Sequence, residues 1–223
     1  MLSKEEIIIY KFFVQPQVDE TDHSIYGYEV LLRKRQKDTW TLPTNFSEIS
    51  LDDQAKLLEQ TAAALKTSLT NKVIAFNLNH DQIENPLTLG VIVALKKRIN
   101  PSALTIELTD APTLEEVQRY SILLHQNGMQ LVLDDVGTGT NTYENIKDAL
   151  PYVDQIKFAM QNLRMSGEAN QIPELLAFWT KIARNYRLDM VLEGVEDQHD
   201  QALAAKFGIK IHQGYLYGKP MPA

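Results

Sequence analysis

No cysteine occurs in the chain, which removes disulfide frameworks, thiolate zinc sites, iron–sulfur clusters and a cysteine nucleophile together. Histidine is sparse: His23, His80, His125, His199 and His212 form no HxH or HExxH pair, so any metal here must be held by oxygen. No apolar run approaches the ~20 residues needed to span a bilayer. The opening Met1-Leu2-Ser3-Lys4-Glu5-Glu6 carries acids where a signal peptide is basic, so a cytoplasmic protein without membrane contact is expected. Basic residues are outnumbered 22 to 29, for a net charge of −7, which argues against a DNA or RNA polymer as partner. Prolines and glycines are dispersed, with no Gly/Ser linker or low-complexity stretch, and residues 1–223 read as a single domain.

What is present is an ordinary globular composition, 44% hydrophobic and 23% charged, arranged as short apolar runs. Tyr10 to Val14, Ile25 to Leu32, Val73 to Leu78, Leu104 to Leu108, Leu131 to Leu133, Val153 to Phe158, Met190 to Leu192 and Ile209 to Gln213 read as strands. Several are near-continuously apolar, as in a sheet buried on both faces. From the third onward they alternate with segments of helical period: Asp52 to Ser68, Leu87 to Ile99, Leu114 to Gln126, Asn141 to Leu150, Ile172 to Tyr186 and Gln198 to Phe207. Such alternation predicts an α/β fold, a (β/α)8 TIM barrel. One junction departs from it. Only about ten residues, Gln15 to Ser24, separate the first two strands, fewer than the dozen or more of a parallel crossover. The first strand is therefore expected to run antiparallel to the others, with a turn at Asp19-Glu20-Thr21-Asp22.

Function in such a barrel sits at the C-terminal strand ends. Those ends carry Glu29 and Arg33, Asn77, Glu107, Asp134 and Asp135, Lys157, Glu193, and Gln213, with Asp110 and Glu196 just beyond. A lone acid there is most often a solvated terminus or a helix cap, and Asp110 or Glu196 alone would be read so. The set resists that reading, because Glu107 interrupts Thr105-Ile106-Leu108 and Asp134-Asp135 follows Leu131-Val132-Leu133. Converging carboxylates repel, and one lysine cannot neutralise them. Oxygen donors and an amide suit Mg²⁺ or Mn²⁺ rather than zinc or copper. An excess of acids suggests two cations sharing a bridging carboxylate, a geometry used for phosphoryl chemistry; Asp134 is the candidate bridge.

In order along the chain stand Gln15-Pro16, Gly27-Tyr28-Glu29-Val30-Leu31-Leu32-Arg33, Asn77-Leu78-Asn79, Glu107-Leu108-Thr109-Asp110, Asp134-Asp135-Val136-Gly137-Thr138-Gly139, Ile156-Lys157, Glu193-Gly194-Val195-Glu196 and Gln213-Gly214-Tyr215-Leu216-Tyr217-Gly218-Lys219-Pro220. The series resembles the EAL family of bacterial cyclic di-GMP phosphodiesterases, with Glu-Val-Leu in place of Glu-Ala-Leu. The resemblance implies a barrel with its first strand reversed. It also implies in-line attack of a cation-activated water on one phosphodiester, opening cyclic di-GMP to linear pGpG and so setting the level of a second messenger. Two cations per site, Mg²⁺ or Mn²⁺, are implied: Glu29, Asn77, Glu107 and Asp134 hold one, and Asp134, Asp135 and Glu193 hold or support the other. Lys157, Glu193 and Asp135 are implied as catalytic, and Gln15, Glu29, Leu31, Arg33, Asp134 and Gln213 as contacting substrate. Asp110 stands where the family has a Glu that braces the loop after strand five.

That loop lacks the family's Phe at Val136, and Phe158-Ala159 replaces the usual Ile-Asp after the lysine. The expected ligands are all present, so an active phosphodiesterase is expected. The alternative is a relative with weak or no turnover that acts as a cyclic di-GMP receptor or protein-interaction regulator. A homodimer and protein partners are left open. Replacing Glu29, Asp134 or Lys157 by Ala is expected to stop turnover and leave the fold intact.

Overall fold

The computed structural model describes residues 8–65, 72–99 and 103–223. The opening six residues and the expected end of the first helix at residues 66–68 lie outside the described residues. Eight strands form the barrel: β1 (Ile9–Asp19), β2 (Ser24–Gln36), β3 (Val73–Leu78), β4 (Ala103–Leu108), β5 (Gln130–Leu133), β6 (Gln155–Ala159), β7 (Asp189–Glu193) and β8 (Ile211–Gln213). Neighbours pair in that order, and β1 closes the ring by pairing with both β2 and β8. From β2 to β8 the pairings are parallel, whereas β1 is antiparallel to both its neighbours.

The reversed first strand agrees with the sequence argument, but the turn is tighter than expected. Gln15 to Asp19 continue β1, and the chain reverses over Glu20–His23. There Asp19 Oδ1 accepts from the Thr21 N–H at 2.8 Å and Asp22 Oδ1 from Ser24 at 3.0 Å, side-chain turns typical of Asp. Pro16 lies inside β1, although a proline within a sheet is normally confined to an edge or a bulge. It is tolerated because it falls between two partners of β1: Phe13 and Val14 pair with Met221–Pro222, and Gln17 to Asp19 pair with β8.

The helices are α1 (Leu51–Ala64), α2 (His80–Glu84), α3 (Thr88–Ile99), α4 (Leu114–Gln126), α5 (Tyr143–Ile146), α6 (Met160–Met165), α7 (Ile172–Tyr186) and α8 (Gln198–Phe207). Ser50, Thr113 and Asp197 cap α1, α4 and α8 through their side chains. The long helix expected over Asn141 to Leu150 is only the single turn α5 and a 3₁₀ turn at Leu150–Tyr152. Its first residues are used in the preceding loop, and Pro151 prevents continuation. Among the described residues no helix is long and apolar enough to cross a membrane.

Period-2 alternation divides each strand between two environments. Ile74, Phe76, Leu78, Leu104, Ile106, Leu108, Leu131, Leu133, Ile156, Phe158 and Leu192 join the hydrophobic core with the helices. The alternate positions face the barrel interior and end in polar groups: Asn77, Glu107, Lys157 and Glu193. Closure of the ring is tight at Gly27, opposite Val73, where an added Cβ would lie 2.6 Å from the Val73 carbonyl oxygen. Gly27→Ala is therefore expected to cost about 1–3 kcal/mol of overpacking, a fall of roughly 2–12 °C in melting temperature at ~2–4 °C per kcal/mol. An unchanged melt would show that β2 and β3 separate there freely.

Candidate active site

Lys157, on β6, is wholly buried at the centre of the mouth. Its Nζ lies 2.6 Å from Glu193 Oε1, 2.9 Å from Glu107 Oε2 and 3.5 Å from both Glu29 Oε2 and Asp134 Oδ1. Three strands and the residue just past β5 thus deliver four buried carboxylates to one ammonium. Carboxylate oxygens of Glu29, Glu107 and Asp134 fall within 4.8 Å of one another, as do those of Asp134, Asp135 and Glu193. Asp134 belongs to both groups. A further grouping, Asp197, His199 and Asp200, is already employed: Asp197 caps α8, and Asp200 takes Arg164 at 2.6 Å and the Glu196 N–H at 2.9 Å.

Amides hold the acids in place. Asn77 Nδ2 donates to Glu29 Oε1 at 2.7 Å, and Gln213 Nε2 donates to Glu29 Oε2 at 2.5 Å and to Gln15 Oε1 at 3.2 Å. Gln17 Nε2 donates to Gln213 Oε1 at 2.9 Å, and Gln15 Nε2 to the Gly218 carbonyl at 3.1 Å. Gln15 and Gln213 therefore serve the barrel's own network while also lining, with Leu31 and Arg33, a cavity of about 380 Å³ beside Glu193. Gln161, Arg164 and Tyr215 complete much of its wall.

Asp135 follows β5 with φ 52, a left-handed conformation unusual outside glycine. The loop it opens is braced chiefly by Asn141, whose Nδ2 donates to the carbonyls of Asp134 (2.6 Å) and Thr109 (3.2 Å), and by Thr140, whose hydroxyl accepts from the Ala111 N–H at 3.2 Å. Asp110, expected in that role, accepts instead from the His80 N–H at 3.4 Å and makes no hydrogen bond to the loop among the described residues. Its carboxylate is one methylene shorter than Glu. Val136 is wholly buried, and Gly137, at φ 88, leaves no room for a Cβ against Trp179. Asn141, Gln161 and Asn162 were missed in the sequence, the first because it read as the start of a helix.

The EAL domain family model matches residues 9–220. This chain is a member of the EAL domain family. It is 34% identical over 150 residues to the probable cyclic di-GMP phosphodiesterase PdeA of Escherichia coli K12, covering 61% of this chain and 20% of PdeA. To the probable cyclic di-GMP phosphodiesterase PdeD of the same organism it is 24% identical over 226 residues, 96% of this chain and 42% of PdeD. The chain thus spans less than half the length of these relatives. Among solved structures it resembles the PaMucR phosphodiesterase in complex with c-di-GMP, with a TM-score of 0.79 at 22% identity over 96% of this chain and 92% of that one. The manganese and cyclic di-GMP complex of Klebsiella pneumoniae BlrP1 follows with a TM-score of 0.74 at 19% identity, covering 96% and 60%.

The charge balance of this EAL domain tests whether its residues suit cations. Burial raises Asp134 to about 7 and Glu193 to about 7 despite the pull of Lys157. Burial, then the Glu193 charge, lifts Asp135 to about 6, and burial holds Glu107 well above the carboxylate range. Glu29 alone of the set ends below its ordinary value: burial opposes ionisation, but the Lys157 ammonium and the Gln213 and Asn77 amides outweigh it. Burial likewise opposes the charge on Lys157, yet Asp134, Glu107, Glu193 and Glu29 hold it protonated. One ammonium leaves this set with surplus negative charge. Asn77 Oδ1 and Glu107 Oε1 are also buried without a hydrogen-bond partner, although buried polar atoms are normally satisfied. Surplus charge and orphaned oxygens fit hard divalent cations.

Proposed function

We propose that this EAL domain, with residues 1–223 acting as one unit, hydrolyses cyclic di-GMP to linear 5'-pGpG using two divalent cations, Mg²⁺ or Mn²⁺. The observation that carries the reading is the pair of three-carboxylate groups sharing Asp134 around the buried Lys157. Support for the substrate comes from the names of PdeA and PdeD and from the nucleotide in the PaMucR and BlrP1 structures. Manganese in the BlrP1 complex supports the cation class.

Glu29, Asn77, Glu107 and Asp134 would hold one cation, and Asp134, Asp135 and Glu193 the other. Bound there, such cations supply Lewis acidity toward phosphoryl oxygens and a lowered pKa for water. Lys157 contributes a fixed positive charge in a buried setting, suited to charge developing on the phosphoryl group. Arg33, at the rim of the 380 Å³ cavity, offers a fork of donors to the second phosphate, while Gln15, Leu31 and Gln213 shape the wall that orients the dinucleotide. Expelling water from this wall strengthens each of these interactions.

Incubating the purified protein with cyclic di-GMP and separating the products tests the reading. Linear pGpG is expected in Mn²⁺ or Mg²⁺ and none after chelation. Little is expected in Ca²⁺, whose ~2.3–2.6 Å bonds, against ~2.0–2.1 Å for Mg²⁺, spread the site. Tight nucleotide binding without cleavage at saturating Mn²⁺ would overturn hydrolysis in favour of a receptor. Equal turnover in Ca²⁺ and Mg²⁺ would overturn the compact two-cation arrangement.

A further inference from the structure

The last residue of β6, Ala159, pairs in register with Glu193 and brings no polar side chain to the mouth. The turn that follows does. On α6, Asn162 Nδ2 donates to Asp135 Oδ1 at 2.8 Å and approaches Thr138 Oγ1 at 3.4 Å, and Gln161 Nε2 donates to Glu193 Oε2 at 3.3 Å. Two residues on, Arg164 donates to the Gly194 carbonyl at 2.6 Å. One short helix therefore grips the loop after β5 and the end of β7, the two segments that carry Asp135 and Glu193.

We infer that Asn162, assisted by Gln161, is a positioning residue that presents Asp135 and Glu193 to the second cation. This rests on the two-cation reading of the mouth. Asp135 needs such a hold more than its neighbours do. It lies beyond the end of β5, in a left-handed backbone conformation, whereas Glu107 and Glu193 are fixed by strands. It also faces the like charge of Glu193, which would turn it outward. An amide donor fixes the carboxylate without neutralising it. Asp135 Oδ2 accepts no hydrogen bond among the described residues, so one oxygen is anchored and the other is left available. A lysine in place of Asn162 would anchor Asp135 equally well but would compete with the cation, and an aspartate would repel it. Loss of such outer partners typically weakens metal binding ~10–100-fold.

The test is a calorimetric titration of Mn²⁺ into the nucleotide-free protein, paired with a thermal melt in chelator, for the parent, Asn162→Leu and the isosteric Asn162→Asp. The parent is expected to bind two equivalents. Both variants should keep the first equivalent, with the second dissociation constant raised ~10–100-fold. Asn162→Leu should leave the metal-free melt unchanged, and Asn162→Asp should lower it through the added like charge beside Asp135. Turnover should fall at limiting Mn²⁺ and recover in excess by mass action. Gln161→Leu should give the same pattern more weakly, in line with its longer contact. A second equivalent that binds as in the parent overturns the inference, and so does a parent that binds fewer than two. Loss of both equivalents with a lowered metal-free melt would make Asn162 a structural residue and also overturns it. Failure here is separable from failure of the proposed function. A parent that binds two Mn²⁺ and leaves cyclic di-GMP intact sinks the hydrolysis but not the positioning role; a hydrolytic parent whose variants titrate normally does the reverse.

Discussion

Replacing Lys157 by methionine is expected both to cut turnover ~100–1,000-fold and to weaken the metal-free fold, which also revises the expectation that Lys157→Ala leaves the fold intact. The side chain is wholly buried, and its ammonium lies within 3.5 Å of four carboxylates. Methionine keeps most of the volume and removes the charge. Breaking a buried ion pair by deleting one partner costs about 3–5 kcal/mol, because the remaining charge is left uncompensated. In a domain of this size that corresponds to roughly 6–20 °C of melting temperature. Proton uptake limits the loss at low pH, since Asp134 and Glu193 already lie near 7, so the deficit should be greatest in alkaline chelator. Excess Mn²⁺ should restore much of the melt by supplying the missing positive charge, while turnover stays reduced ~100–1,000-fold for want of a fixed electrostatic donor. Melts in chelator and in Mn²⁺, beside initial rates, decide it. A variant as stable as the parent in alkaline chelator would show that the four acids do not depend on Lys157.

The barrel was legible because buried strands in a parallel sheet read as near-continuous apolar runs, and Val73–Leu78, Ala103–Leu108 and Asp189–Glu193 do so apart from the polar groups near their ends. The reversed β1 followed from the length of the connection to β2 alone, although β1 runs on to Asp19, past Pro16, whose tolerance depends on which neighbours β1 pairs with. Candidate acids such as Glu107 and Asp134 stood out because the one interrupts and the other directly follows an apolar strand. Residues acting through tertiary contact did not stand out. Asn141 reaches carbonyls at Asp134 and Thr109, the latter 32 residues away, and no local pattern records that. Gln161 and Asn162 lie on a six-residue helix, too short for a helical period to show. Asp110 was chosen by its position in a motif, and its carboxylate, one methylene shorter than Glu, accepts from the His80 N–H instead.

Asp134→Asn is expected to raise the melting temperature of the metal-free protein above pH 7 and to leave it nearly unchanged close to the ordinary Asp value of 3.8. Burial lifts Asp134 to about 7 in the fold, with the Asp135 and Glu29 charges adding to it. A carboxyl whose folded value is raised binds its proton more tightly in the folded than in the unfolded chain. Its contribution therefore favours the fold at low pH and is lost as pH rises through the folded value. The window runs from 3.8 to about 7, and asparagine, which does not ionise, is exempt from the loss. Asparagine can also keep the bond from the Asp135 N–H, which Asp134 Oδ1 accepts at 2.9 Å. The cost is one partner for Lys157, which keeps Glu193 and Glu107 at 2.6 and 2.9 Å. A gain of about 1 kcal/mol would appear as roughly 2–4 °C. Saturating Mn²⁺ should invert the order, since the parent gains about 2.7 kcal/mol at a hundredfold excess over the dissociation constant, while the variant has lost the oxygen common to both groups. Melts of the two proteins across that pH range, in chelator and in Mn²⁺, measure it. A gap that does not change with pH, or a variant less stable than the parent in alkaline chelator, would show that Asp134 carries no repulsive charge for a cation to relieve.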